Sequence, residues 1–316
     1  MLVAMLAAGR MTHAAVRTAS RAYLAESIWL LLSEEPPDVR RSWVEALCLA
    51  ADRCQVSTNC LLEARRFGRL VGAIWGQVLP GQTAMVWPPR LLRSEPPATA
   101  ERLLETLDRQ LQRESLEVTQ ALLRTSSDAD AALLQRFGYQ RAADLVYLVA
   151  DVSHMPLDPP EGGLEFEPYH AGLRDRLACV VEGTYVGTLD IPQLNGVRRI
   201  DDVLDGYTQS GSSEPGRWFF VRHADSDVGC LLAADHAASD QWELVYMGLL
   251  PDARGHGWGV HIVRHLQRLA RESGRSRLIL AVDSANGPAL ATYAKTGFFE
   301  WDRRGVFLKI LAASRC

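Results

Sequence analysis

Hydrophobic and polar positions follow one recurring pattern in the two halves of the chain. In the second half RWFFVRH (217–223) alternates and ends at a turn, VGCLLAAD (228–235) follows, and WELVYMGLL (242–250) comes next. A helical period then runs from about Gly257 to Gly274, with Ile262, Val263, Leu266 and Leu269 on one face and Gly274 where a helix stop belongs. RLILAVD (277–283) is a buried-strand run, a short helix covers about 287–296, and two strands close the chain. The first half repeats this order. CLLEARR (60–66) turns at Gly68 into RLVGAIWGQV (69–78) and TAMVWPP (83–89), followed by a helix at 98–114, a strand at 119–124, a helix at 128–137 and a strand at 139–149.

Between the halves lies DVSHMPLDPPEGG (151–163), whose three prolines and glycine pair are linker composition. Three landmarks align the halves: Gly72 with Gly229, Pro88 with Pro251, and Phe137-Gly138-Tyr139 with Thr296-Gly297-Phe298, at offsets of 157, 163 and 159. Near-constant offsets in order argue for two copies of one mixed α/β fold, at 1–150 and 164–316, joined by the linker. The length of 316 residues suits two domains of about 150 residues each.

Charge narrows the function. Lys and Arg number 34 against 38 Asp and Glu, a net charge of -4, so no basic excess suggests a nucleic-acid partner. No apolar run approaches the ~18–20 residues that span a bilayer, so no membrane partner is expected. The longest run, MLVAMLAA, breaks at Gly9-Arg10. Arg10, Arg17 and Arg21 precede the first acid, Glu26, which has the look of a transit peptide; a start at Met5 or Met11, or a first helix, is the reading taken here. Cysteines at 48, 54, 60, 179, 230 and 316 show no CxxC spacing, which predicts reduced thiols, no zinc site and a cytoplasmic protein.

The segment that carries chemistry is Pro251-Asp252-Ala253-Arg254-Gly255-His256-Gly257-Trp258-Gly259, between a strand and a helix. A helix start leaves backbone N–H groups without partners and carries the positive end of the dipole. Alternate glycines let an anion approach, so the segment reads as a phosphate cradle built from backbone. Glycines at 255, 257 and 259 do not fit the GxGxxG of a dinucleotide fold, and Lys295-Thr296 lacks the glycine of a Walker loop. A ligand-free glycine turn is the remaining alternative.

The same segment resembles the acyl-CoA-binding motif of the GNAT superfamily of N-acyltransferases, Arg/Gln-x-x-Gly-x-Gly/Ala, which Arg254, Gly257 and Gly259 match. Asn286-Gly287-Pro288-Ala289-Leu290-Ala291-Thr292-Tyr293-Ala294-Lys295-Thr296-Gly297-Phe298 resembles a second block of that family, Asn-x-x-Ala-x-x-x-Tyr-x-x-x-Gly-Phe. A tandem layout is also known in the superfamily. The resemblance implies two GNAT-like domains, each a twisted, mainly antiparallel sheet flanked by helices, with acetyl-CoA as cosubstrate and no metal. It implies that the amides of Arg254, Gly255, His256, Gly257, Trp258 and Gly259 hold the pyrophosphate. It further implies that Leu249 N–H binds the thioester carbonyl, Tyr293 protonates the leaving thiolate, and Glu243, directly or through water, relays a proton from the amine. Asn286 contacts CoA or caps its helix. In this family the region matching EGTYVGTLDIPQLNG (182–196) often shapes the acceptor pocket, which makes Tyr185 and Asp190 candidates there.

His261 and His265, four residues apart on the helix, fall off its apolar face and are expected as a solvated pair rather than metal ligands. In the first half the aligned cradle, Leu91-Leu92-Arg93-Ser94-Glu95-Pro96, has no glycine; Leu134 stands for Tyr293 and Ser127 for Asn286. That copy is expected to be degenerate. The implied activity is transfer of an acetyl group to a small-molecule or peptide amine. The competing expectation is a catalytically silent acyl-CoA-binding or protein-interaction module.

Overall fold

The computed structural model describes residues 13–156, 158, 163–208 and 217–311. The open question of the chain start falls on residues 1–12, most of the proline-rich part of the linker on 157 and 159–162, and Cys316 on 312–316; all lie outside the described residues. The described residues divide into one unit over 13–140 with 307–311 and another over 141–306.

In the first unit the strands Ala15–Thr18 (β1), Leu61–Arg66 (β2), Arg69–Leu79 (β3), Thr83–Leu91 (β4) and Val118–Arg124 (β5) lie side by side in chain order. β4 and β5 are parallel over Thr83–Met85 only; the other pairs are antiparallel. Helices Leu24–Leu31 (α1) and Pro37–Asp52 (α2) lie between β1 and β2 in sequence, and Ala98–Leu111 (α3) and Asp128–Arg136 (α4) flank β5. α3 buries Leu103, Leu104, Leu107 and Leu111 at helical spacing. A Cβ on Gly76 of β3 would come within 2.8 Å of Leu107, so the glycine lets α3 sit down on the strand.

In the second unit the order runs from Gln140–Asp151 (β6), through Arg277–Asp283 (β11), Gln241–Leu249 (β10), Ser226–His236 (β9) and Trp218–His223 (β8), to Glu165–Pro168 (β7). Arg174–Tyr185 (α5) and Ile200–Tyr207 (α6) form a packed pair, and α5 lies against β9 and β10. Trp258–Glu272 (α7) and Gly287–Lys295 (α8) pack on each other, and α7 also packs on β10 and β11. Two cores result. Ile262, Val263 and Leu266 of α7 join Trp242, Leu244 and Leu278; Leu177 and Val181 of α5 join Phe220, Cys230 and Leu232.

The halves exchange their last strands. β6 follows the first copy in sequence, but its Leu145–Asp151 stretch pairs with β11 of the second unit, from Asp151↔Arg277 to Leu145↔Asp283. The last strand, Phe299–Ile310 (β12), ends in the first unit: Phe307 is 4% exposed in that core, and Leu311 N–H donates to Glu117 O at 2.8 Å. β12 is one continuous strand where two were expected. Its charged stretch is no turn, because Arg303 and Arg304 pair with Glu300 and Asp302 along the strand.

The backbone supports the repeat and corrects one landmark. Gln82 and Asp240, just before β4 and β10, both have left-handed φ (54° and 53°), and Gly138 and Gly297 follow α4 and α8 at φ 86° and 82°. Gly72 pairs with Leu91 as Gly229 pairs with Leu249. Pro88 therefore lies inside β4, while Pro251 lies beyond β10, so the two prolines are not equivalent. In this register the counterpart of the 254–259 segment begins at Pro96-Pro97, at the start of α3.

Candidate functional site

The site grows from the way β10 leaves β11. The two strands pair in parallel only over Gln241–Glu243 with Arg277–Ile279. Val245 is then the extra residue of a bulge against β9, between Leu244 and Tyr246. A bulge bends its strand, and the rest of β10 stays with β9 while a gap opens towards β11. Leu250 N–H donates to Val228 O of the β9 side at 2.9 Å. Alternation along an extended chain sends the N–H of Leu249 to the opposite edge, towards that gap.

Beyond β10 the chain turns into α7. Gly255 and Gly257 have φ of 84° and 74°, a conformation that disfavours any Cβ, and Gly257 is the N-cap of α7. None of the N–H groups of Gly255, His256, Gly257, Trp258 and Gly259 finds an acceptor among the described residues. These donors, at the positive end of a 15-residue helix, fit a diphosphate. Gly259 serves packing as well: a Cβ there would lie 3.3 Å from Thr292 of α8. The rings of His256 and His223 lie against Trp258, each 4.8 Å from it.

Arg254 does a different job from its neighbours. Its guanidinium donates to the carbonyls of Leu249 (3.1 Å), Thr184 (2.9 Å) and Gly187 (3.3 Å). It thereby ties the end of β10 to the C-terminal end of α5, where carbonyls lack helical partners. Asn286 caps α8, accepting from Ala289 N–H at 3.2 Å, while its amide donates to Asp190 Oδ2 at 2.9 Å. Both groups of that side chain are thus engaged within the protein.

Tyr293 sits on α8 against Phe298, 6% exposed, and its hydroxyl makes no hydrogen bond among the described residues. It lines a cavity of about 330 Å³ together with Asp190, Asp283, Tyr185, Tyr207 and Tyr246. Burial, and then the nearby Asp190 carboxylate, push the Tyr293 phenol well above its usual range. It therefore holds its proton at neutral pH. Tyr185 and Tyr207 share a hydrogen bond of 3.0 Å, and Tyr246 shares one of 2.7 Å with Thr184. Asp190 accepts from Asp283 N–H at 3.1 Å; crowding and the Asp283 charge raise its pKa, against these hydrogen bonds.

Tyr185, Asp190 and Tyr293 thus meet at one cavity, and Glu243 does not. It lies on the still-paired part of β10, outside the cavity wall, and is bonded to His236 at 2.7 Å. The solvated histidine pair also needs correction. His265 is 8% exposed, stacked on Phe166 at 3.6 Å and edge-on to Phe219, and burial drives its pKa down to about 4. The apolar stripe of α7 is wider than its aliphatic residues suggest, because β7 and β8 cover the next face. Asp283, Tyr207 and Tyr246 escaped the sequence reading. Only the position of Asp283 at the end of a buried-strand run offered a signal. No group of three or more His, Cys, Asp or Glu among the described residues is arranged to hold a metal. No described helix is long and apolar enough to cross a membrane.

Comparison with known proteins agrees with this geometry. Residues 188–298 match the sequence profile of the acetyltransferase (GNAT) family. No curated protein matches the chain. Among solved structures, a GCN5-related N-acetyltransferase from Sphaerobacter thermophilus superposes with a TM-score of 0.68 at 17% identity, covering 94% of this chain and 95% of that one. A tandem GNAT protein from the clavulanic acid biosynthesis pathway gives 0.53 at 15% identity, over 93% and 95% of the two chains. The GCN5-related glucosamine N-acetyltransferase region of a fungal GH3 β-N-acetylglucosaminidase gives 0.64 at 10% identity, covering 95% of this chain and 38% of that longer one. These likenesses show the fold over nearly the whole chain. Residues 188–298 thus carry an acetyltransferase (GNAT) domain, the mark of an acyltransferase, and the solved structures show the fold alone.

Proposed function

We propose that the second unit transfers an acetyl group from acetyl-CoA to a primary amine by direct attack. The observation that carries this reading is the row of unpartnered N–H groups from Gly255 to Gly259, beside a strand gap bordered by Leu249 N–H and the Tyr293 cavity. The cradle would hold the pyrophosphate, and the gap would take the pantetheine arm. Leu249 N–H would meet the thioester oxygen, where a fixed donor helps most as negative charge develops.

The amine nitrogen forms a C–N bond, the C–S bond breaks, and the thiolate takes the Tyr293 proton. The ammonium ion gives one proton to solvent before the amine attacks, and the second proton, shed as the amide forms, returns to the Tyr293 phenolate, so atoms and charge balance. Glu243 would serve as base only through water, since His236 holds it outside the cavity. That same pairing is what favours the second reading, a silent acyl-CoA-binding or interaction module. The free thiols of Cys48, Cys54, Cys60, Cys179 and Cys230 fit a cytoplasmic location.

The first unit is proposed to be a degenerate copy. Pro97 offers no N–H where the second unit has Gly255, and Thr99 and Glu101 stand where it has Gly257 and Gly259, their N–H groups donating to Pro96 O and Pro97 O. Glu95 there is bonded to Arg66 and Thr99, both at 2.7 Å. Leu134 occupies the place of Tyr293, and Ser127 makes no side-chain cap.

Calorimetry with acetyl-CoA, followed by CoA release over a mixed amine panel, tests the reading. Uptake with turnover is expected. Uptake without turnover on any amine would select the silent module, and absence of uptake would reject both.

A further inference from the structure

We propose that the acceptor is a small primary amine that enters the cavity beside Tyr293 as a cation and carries no anionic group, with Asp190 and Asp283 as the carboxylates that hold it. This rests on the transferase reading above and narrows its substrate class.

Charge is the first argument. Glu182, Asp190 and Asp283 all line the cavity, and none of them forms an ion pair with a basic side chain among the described residues. Arg198 also lines it, with Nη2 donating to Asp202 O at 3.1 Å. Negative charge is in excess on the wall.

The fold holds two of these carboxylates together. Asp283 N–H donates to Asp190 Oδ1 at 3.1 Å, and Ile191 N–H donates to Asp283 Oδ2 at 3.3 Å. Asp283 is 4% exposed, and Ala285 N–H also donates to it, at 2.9 Å. Neighbouring carboxylates repel, and a cation between them relieves that repulsion.

A second observation is independent of the acids. The Tyr293 side chain is more than nine-tenths buried, lines the same cavity, and leaves its hydroxyl without a hydrogen-bond partner among the described residues. The hydroxyl opens onto the cavity, so a ligand group resting there can supply the hydrogen bond that the protein does not. The third argument is the aromatic wall. Tyr207 stacks on Tyr246 at 5.3 Å and Tyr185 meets Tyr246 edge-on at 5.8 Å. Electron-rich ring faces attract cations and not anions. A volume of about 330 Å³ limits the guest to a small molecule.

The test is isothermal calorimetry on the full chain near neutral pH, using pentylamine, 1,5-diaminopentane and 5-aminopentanoate. The two amines without a carboxylate should bind, and 5-aminopentanoate should bind at least about tenfold more weakly. Asp190→Asn should weaken pentylamine binding by about tenfold. Glu182→Gln, which removes a wall charge without breaking any hydrogen bond seen among the described residues, should weaken it by about threefold, so the result does not hang on a variant that could misfold. Equal affinity for 5-aminopentanoate and pentylamine, no binding by any of the three, or unchanged affinity in both variants overturns the proposal. Acetyl-CoA titrated into the same preparations separates the two readings. Its uptake without discrimination among amines rejects this proposal alone, and its failure to bind rejects the transferase reading.

Discussion

His236 and Glu243 face each other diagonally across β9 and β10, with Nε2 of the histidine 2.7 Å from Oε2 of the glutamate. This hydrogen bond, more than the burial that opposes it, raises the pKa of His236 above its usual 6.5. A raised folded-state value means the pair stabilises the fold fully below about pH 6.5 and loses that contribution as pH climbs through the folded value. Thermal melts from about pH 6 to about pH 9 should therefore show a decline that His236→Gln flattens. Parallel curves for the two proteins would contradict the coupling.

Tyr293→Phe separates an acid from a core tyrosine. The hydroxyl has no partner among the described residues, so its loss should change stability by less than about 0.5 kcal/mol. If it protonates the thiolate, kcat should fall about 10- to 100-fold while the Kd for acetyl-CoA holds within about twofold. An unchanged kcat would return Tyr293 to the core.

Gly257 tests the cradle, with Gly274 as its control. Both have left-handed φ, 74° and 75°, and neither has an atom within 4 Å of where a Cβ would stand. Alanine at either site costs about 1 kcal/mol of backbone strain. Gly257→Ala turns the N–H row and should weaken acetyl-CoA binding about tenfold by calorimetry, whereas Gly274→Ala should leave it alone. Equal losses would show that strain, and not the cradle, is being measured.

Asp235 anchors the second unit. It is 6% exposed and accepts from Arg275 at 2.8 and 3.0 Å and from Arg217 at 3.1 Å. Arg275 above all holds its pKa below the usual 3.8. A lowered folded-state value stabilises the protein above the unfolded pKa and is lost as pH falls through the folded one. Asp235→Asn should cost about 2–4 kcal/mol in urea unfolding at neutral pH. The difference from the parent should shrink towards about pH 3, and a gap that widened there would refute the assignment.

Much of this was legible along the chain. Short apolar runs bounded by turn residues, one of them clearly alternating, marked β2–β6 and β8–β11 to within a few residues. Gly255 and Gly257, just before α7, stood out because positive φ is a demand on residue type. What escaped depended on partners. Pro88 looked equivalent to Pro251, yet only strand register showed one inside β4 and the other beyond β10. His265 looked solvated because the helical period cannot foresee Phe166 and Phe219 arriving from β7 and β8.

The sequence alone determined the mixed α/β elements of both halves and the glycines that positive φ demands at 255 and 257. These are local properties, written in spacing and residue type. Tertiary structure alone decided that the halves exchange their last strands, that Arg254 serves carbonyls, that Glu243 is bound to His236, and that Asp190, Asp283 and Tyr293 share one cavity. Each of these joins residues distant along the chain, or turns on how a bulge tilts one strand. A side chain's chemistry is set by its neighbours in space, and spacing along the chain does not carry that information.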